Sequence, residues 1–135
     1  MDFKASVERE RELADACLEG VRASVSDFDA VYAGVRACVL HRYLLEEGDV
    51  CALADPDDLE ALAAASNAKR AARHHAGALG DTSSGCTGVS SAVTKKVLLA
   101  MAIRRALGIE GHAEAFGAAL TVADLAHAVQ DALSS

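Results

Sequence analysis

A chain of 135 residues in which 52% are hydrophobic can bury a real core, which excludes a disordered segment. A net charge of −7 argues against nucleic acid as the main partner. No apolar run approaches the roughly 18 residues of a membrane span, and residues 1–20 are acidic with no apolar centre, so neither a transmembrane segment nor a secretory signal is expected.

Alanine is abundant, aromatics make up 4% and there is one proline, a composition that favours closely packed helices. Acidity is uneven: residues 1–60 hold 15 acidic and 6 basic side chains, whereas 89–135 hold four of each. Cys17, Cys38, Cys51 and Cys86 are widely spaced with no C-x-x-C pair, so neither a disulfide framework nor a cysteine zinc site is expected. A reducing cytoplasm is the expected setting.

In chain order, residues 4–24 read as a first helix with Leu13, Ala14, Cys17, Leu18, Val21 and Val25 on one face. Ser26 or Asp27 caps a second helix running to about Glu47 and ended by Gly48, with Phe28, Val31, Tyr32, Val35, Cys38, Val39 and Tyr43 or Leu44 inward. Val50-Cys51-Ala52-Leu53 reads as a connector or docked turn. Asp55 then caps a third helix from Pro56 to about Ala76, with Leu59, Leu62, Ala63 and Ala65 inward. Residues 112–118 form a short helical turn, and Thr121 caps a final helix, Val122–Leu133.

The chain is expected to be organised around Gly80–Gly111. A glycine- and hydroxyl-rich loop opens there into an apolar helix that stops at Gly108, a good C′ residue. Val93, Val97, Leu98, Met101, Ala102, Leu107 and Ile109 fall at the spacing of a core face. Lys95, Lys96, Arg104 and Arg105 lie mostly off it. The expected fold is all-α, one domain over 1–135 of five to six helices, in which 1–55 is an acidic N-terminal helical extension.

From Val97–Glu110 (VLLAMAIRRALGIE) through Leu120–Val129 (LTVADLAHAV), the chain resembles an acyl carrier protein. The resemblance covers residues 88–133 and implies a carrier-like bundle over 56–135. A gapless count puts the attachment position on Val93. Two further residues of helix lay Gly88-Val89-Ser90-Ser91-Ala92 on the family's Gly-x-Asp-Ser-Leu pattern, which implies 4′-phosphopantetheine on Ser91. The pattern's aspartate is absent, and Lys95, Lys96, Arg104 and Arg105 reverse the acidic charge of the family's helix. The resemblance thus implies a non-enzymatic module that docks to a partner enzyme. No cofactor is the first expectation and a 4′-phosphopantetheine arm the alternative.

Other residues offer chemistry beside a structural use. Cys86 precedes a helix start, where free N–H groups and Lys95 would stabilise a thiolate, so a sulfur or redox carrier is a second reading. Ser90 and Ser91 read first as helix caps and only second as an attachment point. Lys95 and Lys96 are an anion-binding candidate with the loop before them. The glycines at 80 and 85 have P-loop-like spacing, but Cys86-Thr87 replaces Lys-Ser/Thr, which excludes a nucleotide site. Cys17, Cys38 and Cys51 read as core filler, and adjacent His74 and His75 as solvated residues at a helix end. No metal site and no acid/base pair is expected. A plain helical interaction subunit, as a homodimer, is the third reading.

Overall fold

Two helices rich in valine and alanine meet first. α1 (Phe3–Ala23) and α2 (Phe28–Tyr43) run antiparallel, with Val21 and the Cys17 carbonyl opposite Gly34, and Glu10 opposite His41. Gly34 sets their closeness. A Cβ there would stand 2.2 Å from Val21 Cγ2 and 3.2 Å from the Cys17 oxygen, so glycine alone fits without a shift. Asp27 caps α2 by accepting from the Asp29 amide at 3.1 Å.

This is a computed structural model that describes residues 3–77 and 88–134; at 3, 4, 6, 73–77 and 88–91 it describes the backbone alone. The remaining helices are α3 (Glu47–Cys51), α4 (Leu59–Gly77), α5 (Gly88–Ala106), α6 (Ala113–Ala118) and α7 (Val122–Ser134). The fold is all-α, with seven helices among the described residues where five to six were expected. The addition is α3, which occupies the end of the expected second helix and the connector after it.

That second helix stops at Tyr43 rather than Glu47. Leu44 adopts a left-handed conformation, φ 58°, and the amides of Leu44 and Leu45 turn back to the carbonyls of His41 and Leu40. This hydrogen-bonding pattern is the usual glycine-terminated helix end, built here on a leucine at a cost of about 1–2 kcal/mol. Two side chains of α4 help to hold it. Ser66 Oγ donates to the Tyr43 carbonyl at 2.7 Å, and Lys69 Nζ to the Leu44 carbonyl at 2.9 Å. Gly48 lies inside α3 and ends nothing.

The third expected helix also starts later. Asp55 accepts from the Asp57 amide and shapes a turn, whereas Asp58 caps α4 through the Ala61 amide at 2.9 Å. Residues 57–59 are used elsewhere. The Leu59 amide donates to the Leu120 carbonyl and the Val122 amide to the Asp57 carbonyl, which makes an antiparallel bridge between Asp58 and Thr121. The starts of α4 and α7 are thereby tied side by side. Thr121 caps α7 as expected, its Oγ1 accepting from the Asp124 amide at 3.0 Å, and Asp57 Oδ2 adds a second cap at the Ala123 amide.

α2 is the hub. It packs against α1, α4 and α7, and Val31, Val35, Cys38, Val39, Leu40 and Tyr43 are all buried. α7 lies along it antiparallel, with Phe28 stacked on His127 at 4.2 Å between ring centroids and Gln130 donating to the Val25 carbonyl at 2.9 Å. One hydrophobic core joins side chains from Ala14 in α1 to Val129 in α7. α5 packs on α4, α6 and the end of α1, where the Arg22 guanidinium donates to the Leu107 carbonyl at 2.7 Å. The helix expected at the centre is therefore at one side of the fold.

Candidate docking surface

α5 is apolar on more than one side, and the fold buries a different side from the expected one. Ala92, Leu99, Ala100, Ile103 and Leu107 face the core. Their spacing of seven, one, three and four is as helical as that of the expected set. The small Ala92 and Ala100 let α5 approach its neighbours closely. Of the expected face only Leu107 is buried; Ala102 and Ile109 are half-buried. Val93, Val97, Leu98 and Met101 are 42%, 46%, 57% and 43% exposed. At about 100° per residue these four form one ridge along the outer side of α5, and Arg104 and Arg105 straddle its C-terminal end. Gly108, φ 65°, closes the helix with the Ile109 amide on the Arg104 carbonyl and its own amide on Arg105, and Arg104 Nε donates to the Gly111 carbonyl at 3.1 Å.

The residues singled out from the sequence are distributed around this helix. Ser90 and Ser91 fall in the first turn of α5, and their side chains lie outside the description. Cys86 and the loop 78–87 lie outside the described residues, as do the side chains of His74 and His75. Lys95 is half-buried, with its ammonium 5.7 Å from the centroid of the Tyr43 ring, and the Tyr43 hydroxyl donates to the Lys95 carbonyl at 3.2 Å. Burial, and then the nearby Arg70 charge, hold the Lys95 ammonium below its usual pKa. Lys96, the next residue on the helix, points about 100° away from Lys95.

The other thiols differ among themselves. Cys38 is fully buried and desolvation pushes it up to about 12, while Cys17 is half-buried and raised for the same reason. Cys51 is exposed at the end of α3, contrary to its expected place in the core; Val50 fills that position. Among the described residues no group of three or more His, Cys, Asp and Glu side chains could hold a metal ion. No described helix is long and apolar enough to cross a membrane.

A groove of about 470 Å³ opens between α1, α2 and α3, floored by Ala33, Ala37, Leu40 and Leu45. Its polar side chains are engaged with one another or with neighbours. Arg36 holds both Glu47 oxygens at 2.8 and 2.9 Å, His41 Nδ1 meets Glu10 at 2.8 Å, and the Tyr32 hydroxyl donates to Asp57 at 2.5 Å. That last bond raises the Tyr32 phenol, and the Arg36 bond lowers the Glu47 carboxyl. The groove reads as a seam closed by internal pairs, with no activated nucleophile among its lining residues.

Among the described residues the α5 ridge is an apolar stripe that packing leaves open, where a core face was expected. One signal pointed to it. α5 carries four cations and no carboxylate in an acidic chain, and two of those cations flank the end of the misassigned face. Comparison with protein-family models, with curated proteins and with solved structures finds no match to this chain.

Proposed function

We propose that this protein is a non-enzymatic, carrier-like helical module that docks to a partner through the outer face of α5. The exposed ridge Val93–Val97–Leu98–Met101 carries the reading. Fully burying an aliphatic side chain is worth about 1.5–3 kcal/mol, so four half-exposed ones on one helix leave a sizeable driving force for association. Supporting the carrier form are a long helix closed at Gly108, the short α6 and a Thr121-capped α7.

Charge placed on the ridge tests its exposure directly. Val97→Glu and Leu98→Glu should each move the unfolding free energy by no more than about 0.5 kcal/mol, as at an ordinary surface position. A loss of several kcal/mol would mean the ridge is core and would end the docking reading. The prosthetic arm has its own measurement. Unchanged intact mass after incubation with coenzyme A and a phosphopantetheinyl transferase is the expected outcome; a gain of one arm that Ser91→Ala abolishes would put the arm on Ser91. No gain leaves a docking module that carries no arm, and a gain indifferent to Ser91→Ala removes the arm from Ser91.

A further inference from the structure

We propose that the outer face of α5 receives an acidic amphipathic helix of a partner protein, an inference that rests on the docking reading above. Two separate observations meet there. The first is the apolar ridge, whose i, i+4, i+5, i+8 positions present the kind of surface into which another helix lays its own apolar stripe.

The second is charge. α5 contains Lys95, Lys96, Arg104 and Arg105 and no Asp or Glu, within a chain of net charge −7. Among the described residues the ion pairs join Arg36 to Glu47, His41 to Glu10 and Lys69 to Asp49, and none uses an α5 cation. Arg104 and Arg105 sit one turn beyond Met101 and straddle the end of the ridge, while Lys95 packs over the Tyr43 ring. A partner helix with carboxylates beside its apolar stripe would pair with these cations and leave the ridge dry, which fixes both partner choice and register.

Other occupants fit less well. A second copy laid parallel on α5 sets arginine against arginine. Laid antiparallel, it sets Arg104 and Arg105 against the positive end of the partner helix's dipole, where residues 88–95 offer a lysine and no carboxylate. An anionic bilayer would attract α5 but repel the chain as a whole, whose net charge is −7. Nucleic acid has no use for the ridge.

A displayed library of helical peptides tests this against the full-length chain. Stripe positions vary over apolar residues, and flank positions over Asp, Glu, Lys, Arg and Ser. The expected enrichment is apolar stripes flanked by Asp and Glu. Synthetic versions of the enriched peptides should bind at least about tenfold more weakly at high salt, the sign of interfacial charge pairing. Met101→Glu should abolish enrichment while the protein keeps its unfolding midpoint, and Arg105→Glu, which leaves the Arg104–Gly111 bond in place, should shift the flank preference away from Asp and Glu. Stripes enriched with neutral or basic flanks would overturn the acidic partner and leave the docking reading standing. No enrichment would overturn the acidic partner. If phosphatidylglycerol vesicles, and not phosphatidylcholine vesicles, then bind the wild type, a lipid surface replaces it; concentration-dependent dimerisation lost in Met101→Glu would replace it with a second copy.

Discussion

α2 and α5 are both apolar helices of moderate length, 16 and 19 residues, yet the fold treats them differently. α2 is enclosed by α1, α4 and α7, and six of its residues are buried. α5 buries one side on α4 and shows four large apolar side chains to water on the other. The difference comes from the neighbours. Gly34 admits α1 to contact, and the bonded starts of α4 and α7 fix α7 along α2. Nothing described closes over the far side of α5. A helix's apolar content thus sets how much it could bury, while the partners available decide which side it does bury.

Truncations on the two sides of α5 should separate most widely. Ile103 is fully buried, so Ile103→Ala should cost about 2–5 kcal/mol through lost contacts and the cavity left behind. Leu98→Ala, on the ridge at 57% exposure, should cost about 0.5 kcal/mol or less. Chemical denaturation of both variants decides the matter. Equal losses would mean that α5 is rotated from the orientation described, and the contrast with α2 would fail.

The closed side rests on one glycine, so the next test adds a methyl group there. Gly34→Ala gains helix propensity but forces Val21 or the backbone at Cys17 aside, with a net loss of about 1–3 kcal/mol. Gly20 in α1 has open space around its would-be Cβ, and Gly20→Ala should stabilise by up to about 1 kcal/mol. Asp57 serves two elements at once, accepting from the Tyr32 hydroxyl and the Ala123 amide. Asp57→Ala should therefore cost about 1–2 kcal/mol and let the Tyr32 phenol fall back toward its ordinary value, visible in an ultraviolet titration. Asp55→Ala loses one exposed turn bond, worth about 0.5 kcal/mol.

The class of fold was legible because signals agreed: one proline, much alanine, helix starts at Asp27 and Thr121 and a stop at Gly108. Three features were hidden for physical reasons. Leu44 takes a left-handed turn that sequence assigns to glycine, and it holds because Ser66 and Lys69 reach its carbonyl region from α4. Asp55-Pro56 has the residues of a helix start, but the bonds of Asp57 and Leu59 to the 120–122 segment delay the helix to Leu59, a long-range choice invisible locally. The orientation of α5 was undetermined because apolar residues cover more than one side. As a result, four residues of the expected core face, Val93, Val97, Leu98 and Met101, lie on the open side, and Leu107 alone of that set is buried.

The mildest test bears on the loop that ends the hub helix. Asp49 accepts from Lys69 Nζ at 2.8 Å and from the Glu46 amide at 2.8 Å; the lysine bond is the larger reason its carboxyl lies below the ordinary 3.8. Glu47 lies below 4.5 because of Arg36. A carboxyl depressed in the folded state binds protons less readily than in the unfolded chain. Its contribution is then complete above the unfolded value and lost as pH falls through the folded one. Both groups are solvent-exposed, so the effects are small and shrink with salt. Stability measured from pH 7 downward should fall below about pH 4.5, and Glu47→Gln should flatten the upper part of that fall. Asp49→Asn should flatten the lower part and do so more strongly, because it also loosens the lysine that reaches the Leu44 carbonyl. An acid limb identical in both variants and wild type would mean that these pairs do not hold α3 against α2 and α4, and that the left-handed turn at Leu44 is stabilised by packing alone.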